Sequence, residues 1–245
     1  MVVRSAVNII ATVGVIISLS WYYMLFAMTM NMSPVSTWDA IDLFMLFLMW
    51  AIMMAGMMLP SALPVILLVN KTNHQRISQQ RAYTHTLYFI TGYLIAWSFY
   101  SLLITGIQYW LHLNALLSPM MNSANNTFSS ALLILAGVYQ LTPLKAICLK
   151  HCRSPLSVIT TQWQEGIKGA IRLGFSHGQY CIGCCWILMA LLFVAGVMAL
   201  KWIALLTFIV LLEKAVPKGD MLAKVLGVLL IIYGVYIACS SYIVI

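Results

Sequence analysis

Long apolar runs separated by short polar stretches make up almost the whole chain. Four of these runs cover residues 6–28, 40–69, 86–111 and 128–147. A helix rises about 1.5 Å per residue, so each run is long enough to cross a hydrocarbon core of about 30 Å. Residues 175–212 exceed that length and are interrupted by Lys201, so we expect a turn there that separates a fifth span from a short sixth. Residues 222–243 form a seventh.

Composition agrees with this pattern, since 63% of the residues are hydrophobic and 7% are charged. We therefore predict an all-α polytopic membrane protein, a bundle of about seven transmembrane helices that forms a single domain over residues 1–245 within the lipid bilayer. The net charge of +8 does not indicate nucleic acid, because the basic residues are spread between the spans without interleaved aromatics. Arg4 followed by an apolar run also fits a secretory signal, but the run continues to Ala27 and favours an uncleaved anchor.

The basic residues are distributed unequally across these spans. If the predicted spans are correct, 12 of the 13 Lys and Arg residues lie on one side, and Lys201 lies alone on the other. Cytoplasmic loops carry the excess of Lys and Arg in most membrane proteins. The distribution therefore predicts a cytoplasmic amino terminus and a periplasmic carboxyl terminus.

Two short segments concentrate the cysteines and two of the histidines. They are CLKHC at residues 148–152 and HGQYCIGCCW at residues 177–186. In a helix, residues three and four positions apart share a face, which would group the ligands of each segment. The candidate metal ligands are Cys148, His151, Cys152, His177, Cys181, Cys184 and Cys185. Two ligands from each helix would suit zinc, whereas two or three thiolates suit Cu(I).

Other interpretations of these cysteines remain open. Cysteine is a common apolar filler of helices, which is the expected role of the lone Cys239. The CIGC sequence is also a CxxC pattern, so Cys181 and Cys184 could serve a membrane thiol oxidoreductase. Both segments are expected at the cytoplasmic ends of the fourth and fifth spans, where thiols stay reduced, and this location favours a metal over a disulfide.

Methionine is the second unusual feature, with 16 residues. Met45, Met49, Met53 and Met57 recur at intervals of four, which places them on one helical face of the second span. A cluster of alternating methionines, Met28, Met30 and Met32, precedes that span. Thioethers bind Cu(I), so these residues form a candidate path for the metal, although methionine also fills irregular packing.

The two prolines near the end of the second span, Pro60 and Pro64, are expected to kink or break it, because each removes a backbone donor. Asp39, Asp42 and Glu213 are explained by helix ends and local pairing, with Glu213 next to Lys214. No glycine-rich phosphate loop, paired catalytic carboxylates or Ser/His/Asp order is present in the sequence. Enzymatic activity other than thiol redox chemistry therefore has no candidate residues.

Four blocks of the sequence resemble a family of bacterial integral membrane proteins that are described as predicted metal-binding. The blocks are WAIMMAGMMLPSALP, YQLTPLKAICLKHCRSPL, HGQYCIGCCWILM and LLEKAVP, and they are spread over most of the chain. The resemblance implies a multi-pass protein of the bacterial inner membrane. It also implies the same cysteines and histidines as candidate ligands.

We therefore expect an integral membrane protein that binds a soft metal, copper as Cu(I) by preference or zinc, and acts in its transport or delivery. Its partners would be the metal ion and a metallochaperone or membrane complex, with no nucleic acid. One alternative is the thiol oxidoreductase, and another is a structural or assembly subunit of a membrane complex in which the metal joins two helices.

The orientation can be tested with reporter fusions. Fusions at Thr72 and Trp163 should report a cytoplasmic location, and fusions at Ser33 and Asn125 a periplasmic one, because the basic loops are retained inside. A periplasmic signal at Trp163 would contradict this orientation and would place the cysteines in an oxidising compartment.

Overall fold

A computed structural model describes residues 2–27, 39–78, 86–114, 116–117, 125–153, 166–197 and 199–243. These residues are almost entirely helical. The helices are α1 (Val2–Tyr22, followed by a π-helical turn at Tyr23–Ala27), α2 (Ala40–Ser78), α3 (Thr86–Leu113), α4 (Asn126–Leu141), α5 (Pro143–Arg153), α6 (Gly166–Ala190), α7 (Leu192–Ala195), α8 (Leu200–Ala215) and α9 (Gly219–Ile243). The predicted all-α class is confirmed.

Within the described residues, five helices are long and apolar enough to cross a membrane, namely α1, α2, α3, α9 and the continuous stretch Gly166–Ala195. Helices α4 and α5 together form a sixth candidate that is bent by 64°. The predicted sixth span corresponds to α8, which has 16 residues and is about 24 Å long, shorter than a typical hydrocarbon core. The count of seven spans and the cytoplasmic amino terminus therefore stay predictions.

The bends in the chain have local causes. Thr142 separates α4 from α5 and accepts a hydrogen bond at its hydroxyl from the Lys145 backbone N–H at 3.4 Å, while Pro143 takes the first helical position, where its missing donor costs little. The expected turn near Lys201 is present slightly earlier, at Gly196, whose φ of +97° is unfavourable for residues with a side chain.

Small residues allow α3 and α6 to approach each other closely. A Cβ added at Gly174 would lie 2.0 Å from the Phe89 carbonyl oxygen, and one added at Gly92 would lie 2.1 Å from the Ile171 carbonyl oxygen. Gly178, one turn after Gly174, packs against Ala96 and the backbone of Tyr93. This is the small-residue packing typical of membrane helices, and it brings the cysteine segment of α6 against α3.

Helix α2 continues through Pro60 and Pro64, so it does not break there, and the alternative of a kink stays a prediction. Side chains supply additional donors in this turn: the hydroxyls of Ser61 and Tyr93 donate to the Met58 carbonyl at 2.8 and 3.2 Å. The helix therefore presents an uninterrupted buried face to its neighbours.

A buried ion pair connects α5 to α8. The Lys145 ammonium lies 2.7 Å from the Glu213 carboxylate, with side-chain exposures of 1% and 2%. The Gln140 amide donates to the other carboxylate oxygen at 3.1 Å and its carbonyl accepts from Lys145. The expected pairing of Glu213 with its neighbour Lys214 is therefore wrong, because the buried carboxylate finds its cation on another helix.

Loss of this ion pair should destabilise the protein strongly. Glu213→Gln leaves the Lys145 ammonium buried without a carboxylate, which should cost about 3 to 5 kcal/mol of unfolding free energy. Asp220→Asn is the matched control, since Asp220 is exposed and lies 3.8 Å from Arg153, and its loss should cost at most about 1 kcal/mol. Equilibrium unfolding in detergent measures both, and equal small losses would show that the buried pair contributes little.

Candidate metal centre

Helix α6 carries three cysteines on its buried side. The helix begins at Gly166 rather than at residue 175, so Cys181 lies near its middle and not at its end. Cys181, Cys184 and Cys185 are each exposed by 1% or less. The thiols of Cys184 and Cys185 both donate to the Cys181 carbonyl, at 3.1 and 2.9 Å. Although Cys184 and Cys185 are neighbours on the helix, both thiols therefore point into the protein.

Two further sulfur atoms meet these thiols from other helices. The Cys184 Sγ lies 3.9 Å from the Cys152 Sγ of α5, and the Cys185 Sγ lies 3.9 Å from the Met58 Sδ of α2. We call these five residues the sulfur centre: Met58, Cys152, Cys181, Cys184 and Cys185. The predicted convergence of the two cysteine segments thus occurs through Cys152 and Cys184.

In each pair, the distance between the two sulfur atoms would allow both to bind the same metal ion. Two sulfurs bound to one ion with bonds of about 2.3 Å lie roughly 3.8 Å apart in tetrahedral geometry and roughly 4.6 Å apart in linear geometry. The observed 3.9 Å falls within this range for each pair. Thiolate and thioether ligands suit soft ions, and Cu(I) is one of the metals that they bind, so the donor set is suitable for that ion.

Cys181 is the most polar member of the sulfur centre. Its Sγ lies 2.8 Å from the Lys214 Nζ of α8 and 3.2 Å from the Tyr93 hydroxyl of α3. The Lys214 ammonium also donates to the Ser61 hydroxyl at 3.0 Å. A cation next to Cys181 can balance the negative charge that thiolates bring into a buried site.

The structure does not bring the other predicted ligands into the sulfur centre. The His151 ring stacks on the Tyr180 ring with centroids 4.8 Å apart. The buried His177 ring packs against the rings of Phe89 and Tyr93, and its Nδ1 has no hydrogen-bond partner among the described residues. Cys148 is half-buried beside Gly183, where an added Cβ would lie 2.9 Å from its sulfur.

These positions bear on the choice of metal and on the redox alternative. In the part of the chain that the structure describes, no group of three or more His, Cys, Asp or Glu residues is arranged to hold a metal ion. A four-coordinate zinc site of two ligands per helix therefore has no support from the geometry. A thiol oxidoreductase needs an accessible sulfur for its mixed disulfide, whereas Cys181 and Cys184 are both buried within a helix.

The methionine face of α2 lies mostly in the core. Met49, Met53 and Met57 are buried, whereas Met45 is 48% exposed and lies outside the core. Met28, Met30 and Met32 lie outside the described residues. The connection to the cysteines is made by Met58, which follows Met54 by one helical turn and was not among the predicted path residues.

Cys239 is exposed on α9 and takes no part in the sulfur centre, as expected for a lone apolar filler. Lys214 was missed as a site residue, because its neighbour Glu213 offered a local partner in the sequence. The one signal in the sequence for a role of Lys214 was its position in the LLEKAVP block.

Comparison with known proteins identifies the family of this chain. A family model named PpoB2 and described as a copper chaperone matches residues 47–237. No curated protein and no solved structure matches the chain. The family supports the expectation of a copper-related function, and the matched residues include α2 from its eighth residue onward together with the whole sulfur centre. Because the match covers well over half of its length, the chain belongs to the PpoB2 family of copper chaperones.

Proposed function

We propose that this protein binds Cu(I) at the sulfur centre within the membrane and delivers it to a partner protein. The observation that carries the proposal is the pair of 3.9 Å contacts that join Cys184 to Cys152 and Cys185 to Met58. Together with the family match, these contacts favour copper over zinc. The proposed ligands are fewer than the predicted ones, since His151 and His177 pack against aromatic rings and are not part of the sulfur centre.

The thioethers of α2 lead to the thiols of the sulfur centre, and this arrangement provides a direction for copper movement. Thioethers bind Cu(I) without losing a proton, so the buried methionines of α2 can hold the ion weakly along the helix. Thiolates bind it more tightly, and Met58 places its sulfur against the first of them, Cys185. Copper would therefore pass from the methionine face to Cys185, and then to Cys184 and Cys152.

The proposed exit lies at α5. Cys152 is 7% exposed, and Cys148, one helical turn earlier, is half-buried and packs against α6 at Gly183. A thiol at the edge of the buried cluster is the position from which a metallochaperone or a membrane complex could take the ion by ligand exchange. Lys150 of α5 is exposed and would attract an acidic partner surface.

The proposed location is the bacterial inner membrane, with the amino terminus and the α5 exit on the cytoplasmic side. The distribution of 12 of the 13 Lys and Arg residues on one side supports this orientation. A reducing compartment is also the environment that keeps the Cys148 and Cys152 thiols available for a metal.

Replacement of one thiol of the Cys152 and Cys184 pair should weaken copper binding. Cys152→Ser and Cys184→Ser should each lower the Cu(I) affinity of the purified protein about tenfold or more, because a hydroxyl is a poor ligand for a soft ion. Competition with a colorimetric Cu(I) chelator measures the affinity. Cys239→Ser is the matched control and should bind like the wild type, and wild-type affinity in both pair variants would refute the site.

Replacement of the thioether at the junction should slow copper movement while preserving the fold. Met58→Leu keeps the approximate volume of the side chain and should cost less than about 1.5 kcal/mol in stability. Copper accumulation by vesicles that contain the protein should become slower, since the contact between α2 and Cys185 loses its sulfur. Met45→Leu, on the exposed side of the same helix, should leave the rate unchanged, and equal rates in both variants would assign Met58 to packing alone.

A further inference from the structure

Lys214 brings a positive charge to the sulfur centre that no carboxylate neutralises within the described residues. Its polar contacts are the Cys181 Sγ at 2.8 Å and the Ser61 Oγ at 3.0 Å. The other lysine near the centre, Lys145, is paired with Glu213 and contributes no net charge. One uncompensated ammonium is therefore in direct contact with a candidate copper ligand.

This charge has different consequences for monovalent and divalent ions. When Cu(I) binds two cysteines, each thiol releases its proton, and the complex carries a net charge of minus one. Zn(II) bound to the same two thiolates gives a neutral complex. A thioether ligand such as Met58 changes neither charge. In a buried site an unbalanced charge is costly, so the more stable complex is the one whose charge cancels that of the neighbouring lysine.

We propose that Lys214 determines the metal specificity of the sulfur centre by balancing the charge of a Cu(I) dithiolate and disfavouring divalent ions. This inference rests on the proposed binding of Cu(I) at the centre. With Cu(I) bound, the charges of the ammonium and of the metal complex sum to zero. With Zn(II) bound, the lysine is left as an uncompensated cation among apolar helices.

The geometry around Lys214 supports this role. Cys181 presents its sulfur to the ammonium from α6, and Ser61 presents its hydroxyl from α2. The same sulfur meets the Tyr93 hydroxyl of α3 at 3.2 Å. Among the described residues the ammonium therefore contacts a cysteine sulfur and a hydroxyl but no carboxylate, so its charge lies directly beside a candidate metal ligand.

The test compares the Cu(I) and Zn(II) affinities of the purified full-length protein by chelator competition. Lys214→Gln keeps hydrogen-bond donors near Cys181 and Ser61 but removes the charge, so the ratio of Cu(I) to Zn(II) affinity should fall about tenfold or more. Lys214→Arg should retain the wild-type ratio. Lys218→Gln is the matched control, since Lys218 is exposed in the turn that follows α8, and it should also leave the ratio unchanged.

A second variant keeps the lysine and cancels its charge locally. Ser61→Asp places a carboxylate beside the Lys214 ammonium and should lower the ratio as Lys214→Gln does. The ratio of Cu(I) to Zn(II) affinity is measured for each of these two variants that folds. A wild-type ratio would refute the specificity role, while copper binding at the centre would stand. If the wild-type protein does not bind Cu(I), the proposed function and the specificity role are both refuted.

Discussion

The sulfur centre depends on the burial of three consecutive turns of one helix against four others. Helix α6 can approach α3 closely because glycines on each helix pack against the backbone of the other, and the approach excludes water from Cys181, Cys184 and Cys185. Buried thiols react poorly with the disulfides of large partner proteins but are good ligands for a small soft ion. The burial of α6 disfavours disulfide exchange with a partner protein and supports the proposed metal binding.

The remaining helices place complementary groups around this core. The buried pair of Lys145 and Glu213 fixes α5 against α8, so that Cys152 lies opposite Cys184 and Lys214 lies opposite Cys181. Helix α2 remains continuous through two prolines and contributes Met58. Helices α5 and α6 contribute thiols, α2 contributes a thioether and α8 contributes a cation, and the ion pair keeps α5 and α8 in register.

Much of the architecture and part of the centre can be predicted from the sequence. Apolar runs of membrane length identify the helices, and cysteines three and four positions apart identify Cys181, Cys184 and Cys185 as one face. Partners from distant segments cannot be identified in this way. The pairing of Glu213 with Lys145, the contact of Met58 with Cys185 and the stacking of His151 on Tyr180 all depend on how helices cross, which local spacing does not encode. The turn expected near Lys201 lies slightly earlier, at Gly196, because an apolar run does not show where a glycine interrupts it.

The central claim is that sulfur atoms alone bind copper in this protein. X-ray absorption spectroscopy of the Cu(I)-loaded protein tests it most directly. The account predicts two or three sulfur neighbours at roughly 2.3 Å and no nitrogen in the first coordination shell. A shell that contains imidazole nitrogen would contradict it, because His151 and His177 are not among the residues of the sulfur centre.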